Sequence, residues 1–307
     1  MQFHDFIGGK TGGKTSDHYT DQWSLERGMG TFMTEGQAAP HTMQFVLGWR
    51  GLFDRIREQA ASSKVSVYDA ACGYGGIMHT LFDGGNSTGL SYTGADIRAN
   101  LQQMPVPPGA TPSQILLARH DISDPLPLNE TFDFIVCRNA IHHTPDPRKT
   151  FASLRRSLKP GGTIAISAYS KKARLREALD DAMRAAVVPM DNEAAFKASS
   201  DFTELGRALR QVTGTVTIGH DLEFLGIRAG TYGVQDLIYN HIVKCWYNEA
   251  FGPERSDVVN FDWYHPPYAY RYHLDELTAW YTAEGLSIDK TDTHPSQHYV
   301  EGRAFLA

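Results

Sequence analysis

Tyr68-Asp69-Ala70-Ala71-Cys72-Gly73-Tyr74-Gly75-Gly76 joins an apolar run to a glycine-rich turn, and Ile77-Met78-His79-Thr80-Leu81-Phe82 continues it as a helix start. Glycines let a backbone approach a ligand where a Cβ would collide. A helix start supplies N–H donors for a carboxylate or phosphate. A second carboxylate, Asp96, closes the next apolar run, SYTGADI. There it can accept both hydroxyls of an adenosyl ribose, a charge-assisted pair of bonds. His120-Asp121-Ile122 follows ILLA and offers an acid to an adenine amino group, and FDFIVC leads into Arg138-Asn139-Ala140-Ile141-His142-His143. Leu158-Lys159-Pro160-Gly161-Gly162 is the last element of the series. The loop alone also suits a nicotinamide-dependent oxidoreductase, which uses a similar turn.

The five elements in this order resemble the class I S-adenosylmethionine-dependent methyltransferases, over roughly residues 45–170 plus the closing helix and strands. DAACGYGG is similar to that family's first motif, GADI to its ribose-binding acid, HDIS to its adenine loop and FDFIVCRNAIHHTPDP to its fourth-strand motif. LKPGGTIAIS is similar to the strand that follows. Ala71 stands where many members have a glycine, which weakens the oxidoreductase reading and leaves this one intact. The resemblance implies S-adenosylmethionine as cofactor, with Asp69, Ala71, Gly73 and Gly75 around its methionine end. It implies Asp96 on the ribose, Ile97 against the adenine, Asp121 and Ile122 at the adenine edge, and Asn139 beside the sulfonium.

These residues need a scaffold that brings strand ends together. VSVYDAA, SYTGADI, FDFIVCRNA and GTIAISAY read as strands spaced for helical crossovers. The expected fold class is therefore α/β: a Rossmann-like, doubly wound, mostly parallel sheet with a mainly helical cap inserted after the fifth strand. Asp146 is a candidate N-cap with Pro147 at the first helical position. Phe151, Leu154 and Leu158 then give one apolar face, and Lys159–Gly162 the turn into the next strand. The expected organisation is an N-terminal arm or lid (1–44), a cofactor-binding core (45–170), a substrate-binding cap (171–272) and a closing helix and strands (273–307). Within the cap, VQDLIYNHIVKCWY reads as helix and TVTIG as a strand.

A sulfonium is already a good methyl donor, so the protein has chiefly to aim a nucleophile, and orientation can lower a barrier by about 7–11 kcal/mol. His142 and His143, directly after the fourth strand, are the expected bases, with His265 a third candidate. Tyr264, Tyr268 and Arg271, in the aromatic stretch DWYHPPYAYRYH, are the expected acceptor contacts. The competing reading of those histidines and aromatics is structural bracing. No His pair has a tight ligand spacing, so no metal is expected.

GGKTGGKT (8–15) fits the phosphate-loop pattern. Only MQFHDFI precedes it, enough for one edge strand, and SDHYTDQWSLERG lacks the apolar face of a sheet-packed helix. We read it as a chance match within a mobile arm, and the resemblance implies an arm that closes over the cofactor.

Formal charge −6 and pI near 6.1 argue against a broad grip on nucleic acid. Apolar runs are strand-sized, so no membrane span is expected. Three widely spaced cysteines and the lack of a signal-like start point to a cytoplasmic protein. The expected activity is methyl transfer to oxygen, nitrogen or carbon of a small-molecule acceptor, with a homodimer left open. The alternatives are an NAD-dependent oxidoreductase and a non-catalytic cofactor-binding interaction module.

Overall fold

A computed structural model describes residues 1–7, 13–22, 48–83 and 87–306. Two compact units divide the chain, the second being Lys171–Pro267.

In the first unit the strands are β1 (Gln2–Asp5), β2 (Val65–Ala70), β3 (Leu90–Asp96), β4 (Ile115–Arg119), β5 (Phe132–Arg138) and β6 (Leu158–Tyr169). Two further strands, which we label after the pair in the second unit, are β9 (Leu286–His294) and β10 (Gln297–Ala304). They form one eight-stranded sheet in the order β1-β4-β3-β2-β5-β6-β10-β9. β1 to β6 pair in parallel. β10 runs antiparallel to both neighbours. The chain builds outward from β2 in one direction and from β5 in the other. The carboxyl ends of β2 and β5 therefore flank the switch point where open α/β sheets bind ligands.

Period-two alternation buries both faces of this sheet. Val65, Val67, Phe134 and Val136 join one core with α2 (Trp49–Ala60) and α3 (Gly76–Phe82). Tyr68, Ala70, Ile135 and Cys137 join the other, with α4 (Pro147–Arg156) and α9 (Leu274–Ala283). In α2, Trp49, Leu52, Phe53, Ile56 and Ala60 are buried, a helical apolar stripe. Each of its large side chains contributes about 1.5–3 kcal/mol on burial.

Asp146 does cap α4, its Oδ1 accepting from Lys149 N at 3.0 Å. That helix ends at Arg156, however, and Leu158 pairs with Phe132 as the first residue of β6. The register then jumps to Phe134 opposite Thr163. Lys159–Gly162 is thus a bulge inside a strand, with Gly161 at φ 74°, rather than the turn before one.

Before the first core strand, β1 is an edge strand whose four residues are all exposed. Residues 8–12 of the phosphate-loop match lie outside the described residues, and Gly13-Lys14-Thr15 open α1 (Gly13–Gln22). The sequence had argued against a packed helix here. It forms by burying polar side chains, Ser16, His18 and Gln22, with His18 Nε2 and Gln22 Oε1 at 3.0 Å.

The second unit holds α5 (Arg174–Val187), α6 (Asn192–Arg210), the hairpin β7 (Thr215–Ile218) and β8 (Gly230–Gly233), α7 (Val234–His241) and α8 (Gly252–Tyr264). The helix expected over 234–247 stops at His241, because side chains take over the backbone groups beyond it. Asp180 Oδ1 accepts from Lys244 N at 2.9 Å, and the Asn260 amide bonds both Trp246 N (3.0 Å) and Trp246 O (2.9 Å). A Cβ on Gly206 would lie 2.2 Å from Cys245 O, so α6 approaches that segment only through a glycine. No helix among the described residues is long and apolar enough to cross a membrane.

Candidate cofactor and active site

β2 delivers the chain to a turn of left-handed backbone: Ala71 at φ 65°, Gly73 at 54° and Gly75 at 83°. Gly75 is required twice over, since a Cβ there would sit 2.6 Å from Met104 Sδ. Asn139, at φ 53°, continues the pattern at the end of β5. Ala71 and Asn139 are the non-glycine residues with positive φ among those described. Each costs about 1–3 kcal/mol, and such residues cluster at functional sites. The backbone of Asn139 is held by Ser167, whose Oγ accepts from Asn139 N at 3.0 Å and donates to Asn139 Oδ1 at 2.6 Å.

Two buried carboxylates border the turn. Asp69 Oδ2 accepts from the Tyr92 hydroxyl at 2.6 Å, and burial pushes its carboxyl up to about 7, against the pull of that bond and of Arg138. Asp96 accepts from Gly73 N on Oδ2 at 2.8 Å and from Arg98 N on Oδ1 at 3.1 Å. Burial raises its carboxyl too, opposed by Arg98 and the backbone donors. Two desolvated acids at adjacent strand ends form an environment that favours a cation.

Ile97 is half-buried, and its carbonyl accepts from Ser16 Oγ of α1 at 3.0 Å. Thr20 Oγ1 of the same helix accepts from Ala99 N at 2.8 Å, so α1 docks on the loop after β3. Asp121 turns its Oδ1 to Ser123 N (2.9 Å) and Oγ (2.6 Å), shaping the loop after β4. Ile122 is buried in the core.

His142 and His143 fall in a single 3-10 turn, Ile141–His143. His142 has no exposed surface and lies 3.8 Å, centroid to centroid, from Tyr169. His143 meets Tyr19 of α1 at 5.7 Å. Its Nδ1 is 2.7 Å from the Tyr268 carbonyl. A carbonyl only accepts, so Nδ1 carries the proton and Nε2 is the basic nitrogen. Tyr270 N donates to His142 O and Tyr272 N to Tyr169 O, which lays the segment with Tyr268 and half-buried Arg271 beside the histidines.

Tyr264 and His265 belong to the second unit. The Tyr264 hydroxyl donates to Lys244 O at 2.7 Å, and His265 Nε2 is 3.1 Å from Met190 O with its ring stacked on Phe261. Neither side chain has exposed surface. Their polar atoms are engaged inside the unit's own packing. His142 likewise has no exposed surface, and its ring lies 4.2 Å from that of His143, centroid to centroid.

Sequence reasoning missed Tyr19, Tyr92, Arg98, Arg138 and Tyr169. An arginine after a strand-end acid was legible, but its folding back onto the turn was not. Among the described residues no group of three or more His, Cys, Asp or Glu could hold a metal ion.

An α/β sheet with a glycine turn and acids at its switch point defines a nucleotide-cofactor fold. The family profile described as "Methyltransferase domain" matches residues 42–203, more than half of the chain. The chain belongs to that family, the class I S-adenosylmethionine-dependent methyltransferases, whose cofactor is S-adenosylmethionine. It is similar to a ubiquinone biosynthesis O-methyltransferase of Pseudomonas syringae, 28% identical over 122 residues (39% of this chain, 50% of the relative). It is also similar to one of Vibrio cholerae, 26% identical over 164 residues (52% and 60%). The chain thus spans about half the length of the curated relatives it matches. Among solved structures, an S-adenosylmethionine-dependent methyltransferase from Mesorhizobium loti aligns with a TM-score of 0.48 at 13% identity, covering 85% of this chain and 99% of that one.

The residues present fit the cofactor. Arg98 Nη2 is a buried donor without a partner among the described residues, and the two buried acids suit an ammonium and a pair of ribose hydroxyls.

Proposed function

We propose that the protein transfers a methyl group from S-adenosylmethionine to a small-molecule acceptor by in-line displacement. The observation that carries this reading is the pair of buried carboxylates, Asp69 and Asp96, bordering the glycine turn at the sheet's switch point. When bound, the cofactor supplies an electrophilic methyl group. Asp96 is the acid for the ribose hydroxyls, and Asp69 faces the ammonium of the amino-acid tail. Ala71, Gly73 and Gly75 admit that tail, Asn139 lies beside the sulfonium, and Ile97, Asp121 and Ile122 border the adenine. His143 takes the acceptor's proton on Nε2, its ring oriented by the Tyr268 carbonyl. Tyr268 and Arg271 meet the acceptor. Three buried free thiols favour a reducing, cytoplasmic setting.

Calorimetry with S-adenosylhomocysteine and with NAD tests the first step. S-adenosylhomocysteine is expected to bind and NAD not, and the reverse would turn the reading into the oxidoreductase one. Transfer of a tritiated methyl group to a panel of phenols, amines and carboxylic acids tests the second step. Cofactor binding with no transfer to any class would favour the non-catalytic module. With an accepted substrate, His143→Ala is expected to lower kcat about 10²–10⁴-fold and remove the acid limb of the pH profile. S-adenosylhomocysteine affinity should not change, and a variant of undiminished turnover would exclude His143 as base.

A further inference from the structure

Gly73 is gripped at both ends of its backbone. Its N–H donates to Asp96 Oδ2 at 2.8 Å, and its carbonyl accepts from Arg98 Nε at 2.9 Å. Asp96 closes β3 and Arg98 stands in the loop after it, on either side of Ile97, and together they hold the left-handed conformation at the base of the turn. Arg98 has no exposed surface. Its Nη1 donates to Asn100 Oδ1 at 2.8 Å, and its guanidinium carbon lies 5.4 Å from the Tyr74 ring centroid. Its Nη2 has no hydrogen-bond partner among the described residues. A buried guanidinium N–H left unpaired is uncommon in folded proteins. A methionine would fill the same space with no donor to satisfy, so packing alone does not account for an arginine here.

We propose that Arg98 is a positioning residue for the amino-acid tail of the cofactor: it fixes the carbonyl side of Gly73 while Asp96 fixes the N–H side, and it keeps Nη2 for the tail's carboxylate. This inference rests on the functional reading above. A guanidinium only donates and a carboxylate only accepts, and the carboxylate is the one anionic group on S-adenosylmethionine. The ribose hydroxyls, by contrast, are donors that Asp96 can accept. Asn100 also reaches toward α1, its Nδ2 lying 3.5 Å from Thr20 O, so the same guanidinium links the turn to the loop on which α1 docks.

Affinities of two ligands, S-adenosylhomocysteine and 5′-methylthioadenosine, test this, because the second lacks the tail. Arg98→Met is expected to weaken S-adenosylhomocysteine about 10- to 100-fold, as for loss of hydrogen bonds to a charged group. Methylthioadenosine affinity should change less than about threefold. Arg98→Lys keeps the charge but lacks the fork that reaches Gly73 and Asn100 together, so it should recover only part of the loss. Asn100→Ala, which removes the side-chain acceptor of Nη1 and leaves only the Asn100 carbonyl at 3.3 Å, is expected to give a smaller loss of the same kind and serves if Arg98→Met does not fold. Unchanged S-adenosylhomocysteine affinity, or equal weakening of both ligands, would overturn the proposal. Failure of wild type to bind either ligand would overturn the functional reading, and this inference with it.

Discussion

Asp96→Ala is expected to bind S-adenosylhomocysteine at least about 100-fold more weakly than wild type, since hydrogen bonds to a charged group contribute about 1.5–3 kcal/mol each. Two effects combine. The variant removes the acceptor for the ribose hydroxyls, and it releases Gly73 N and Arg98 N, which both donate to this carboxylate. Burial holds the Asp96 carboxyl above its ordinary range, so the ionised side chain is costly to the unliganded fold. Asp96→Asn keeps one acceptor oxygen but turns its amide nitrogen toward the other backbone N–H, so it should melt below wild type at pH 8 as its ligand affinity falls. An Asp96→Ala protein that bound the demethylated cofactor as tightly as wild type would remove the basis for the ribose assignment.

Asp69 supplies the second large effect, read through pH. Its carboxyl titrates near 3.8 when unfolded and at about 7 in the folded protein, because burial outweighs the Tyr92 hydrogen bond and Arg138, and Asp96 adds to the rise. Between these values the folded state keeps a proton that the unfolded state has released. Stability contributed by this group is therefore present below the unfolded value, is lost as pH rises toward 7, and stays lost above it. The loss is bounded at about 4 kcal/mol by the free-energy equivalent of the shift. Asp69→Asn removes this slope, so it should gain melting temperature over wild type at pH 8 and match it near pH 4. Affinity should move the other way: wild type should bind S-adenosylhomocysteine more tightly at pH 8 than at pH 6, as the ionised acid meets the tail's ammonium. Asp69→Asn should bind weakly at both. A variant that kept the wild-type pH dependence would show that some other group titrates.

Local pattern carried the core because a doubly wound sheet buries both strand faces. VSVYDAA and FDFIVC could hardly be anything but central strands, and each is followed by a residue that must turn. Asp96 and the glycine turn were legible for the same reason, since ligand contacts at strand ends are set by position along the strand. The helix over 13–22 was missed because it is held by polar burial, which leaves no apolar periodicity to read. The end of α7 at His241 was missed because Asp180 and Asn260, distant in sequence, replace the backbone bonds that local propensity would have continued. Leu158 was placed on a helix because its spacing fits one. Pairing with Phe132 outweighs that spacing.

The chain's order of residues therefore determined the sheet, its crossovers and the acid that closes β3. Those follow from periodicity and from the few conformations open to glycine-rich turns. Tertiary structure decided that Arg98 folds back to Gly73, that a carbonyl at Tyr268 orients His143, and that Tyr264 and His265 turn their polar atoms to Lys244 and Met190. Each of these depends on contacts between distant segments, and side-chain type alone does not encode which atom it will face.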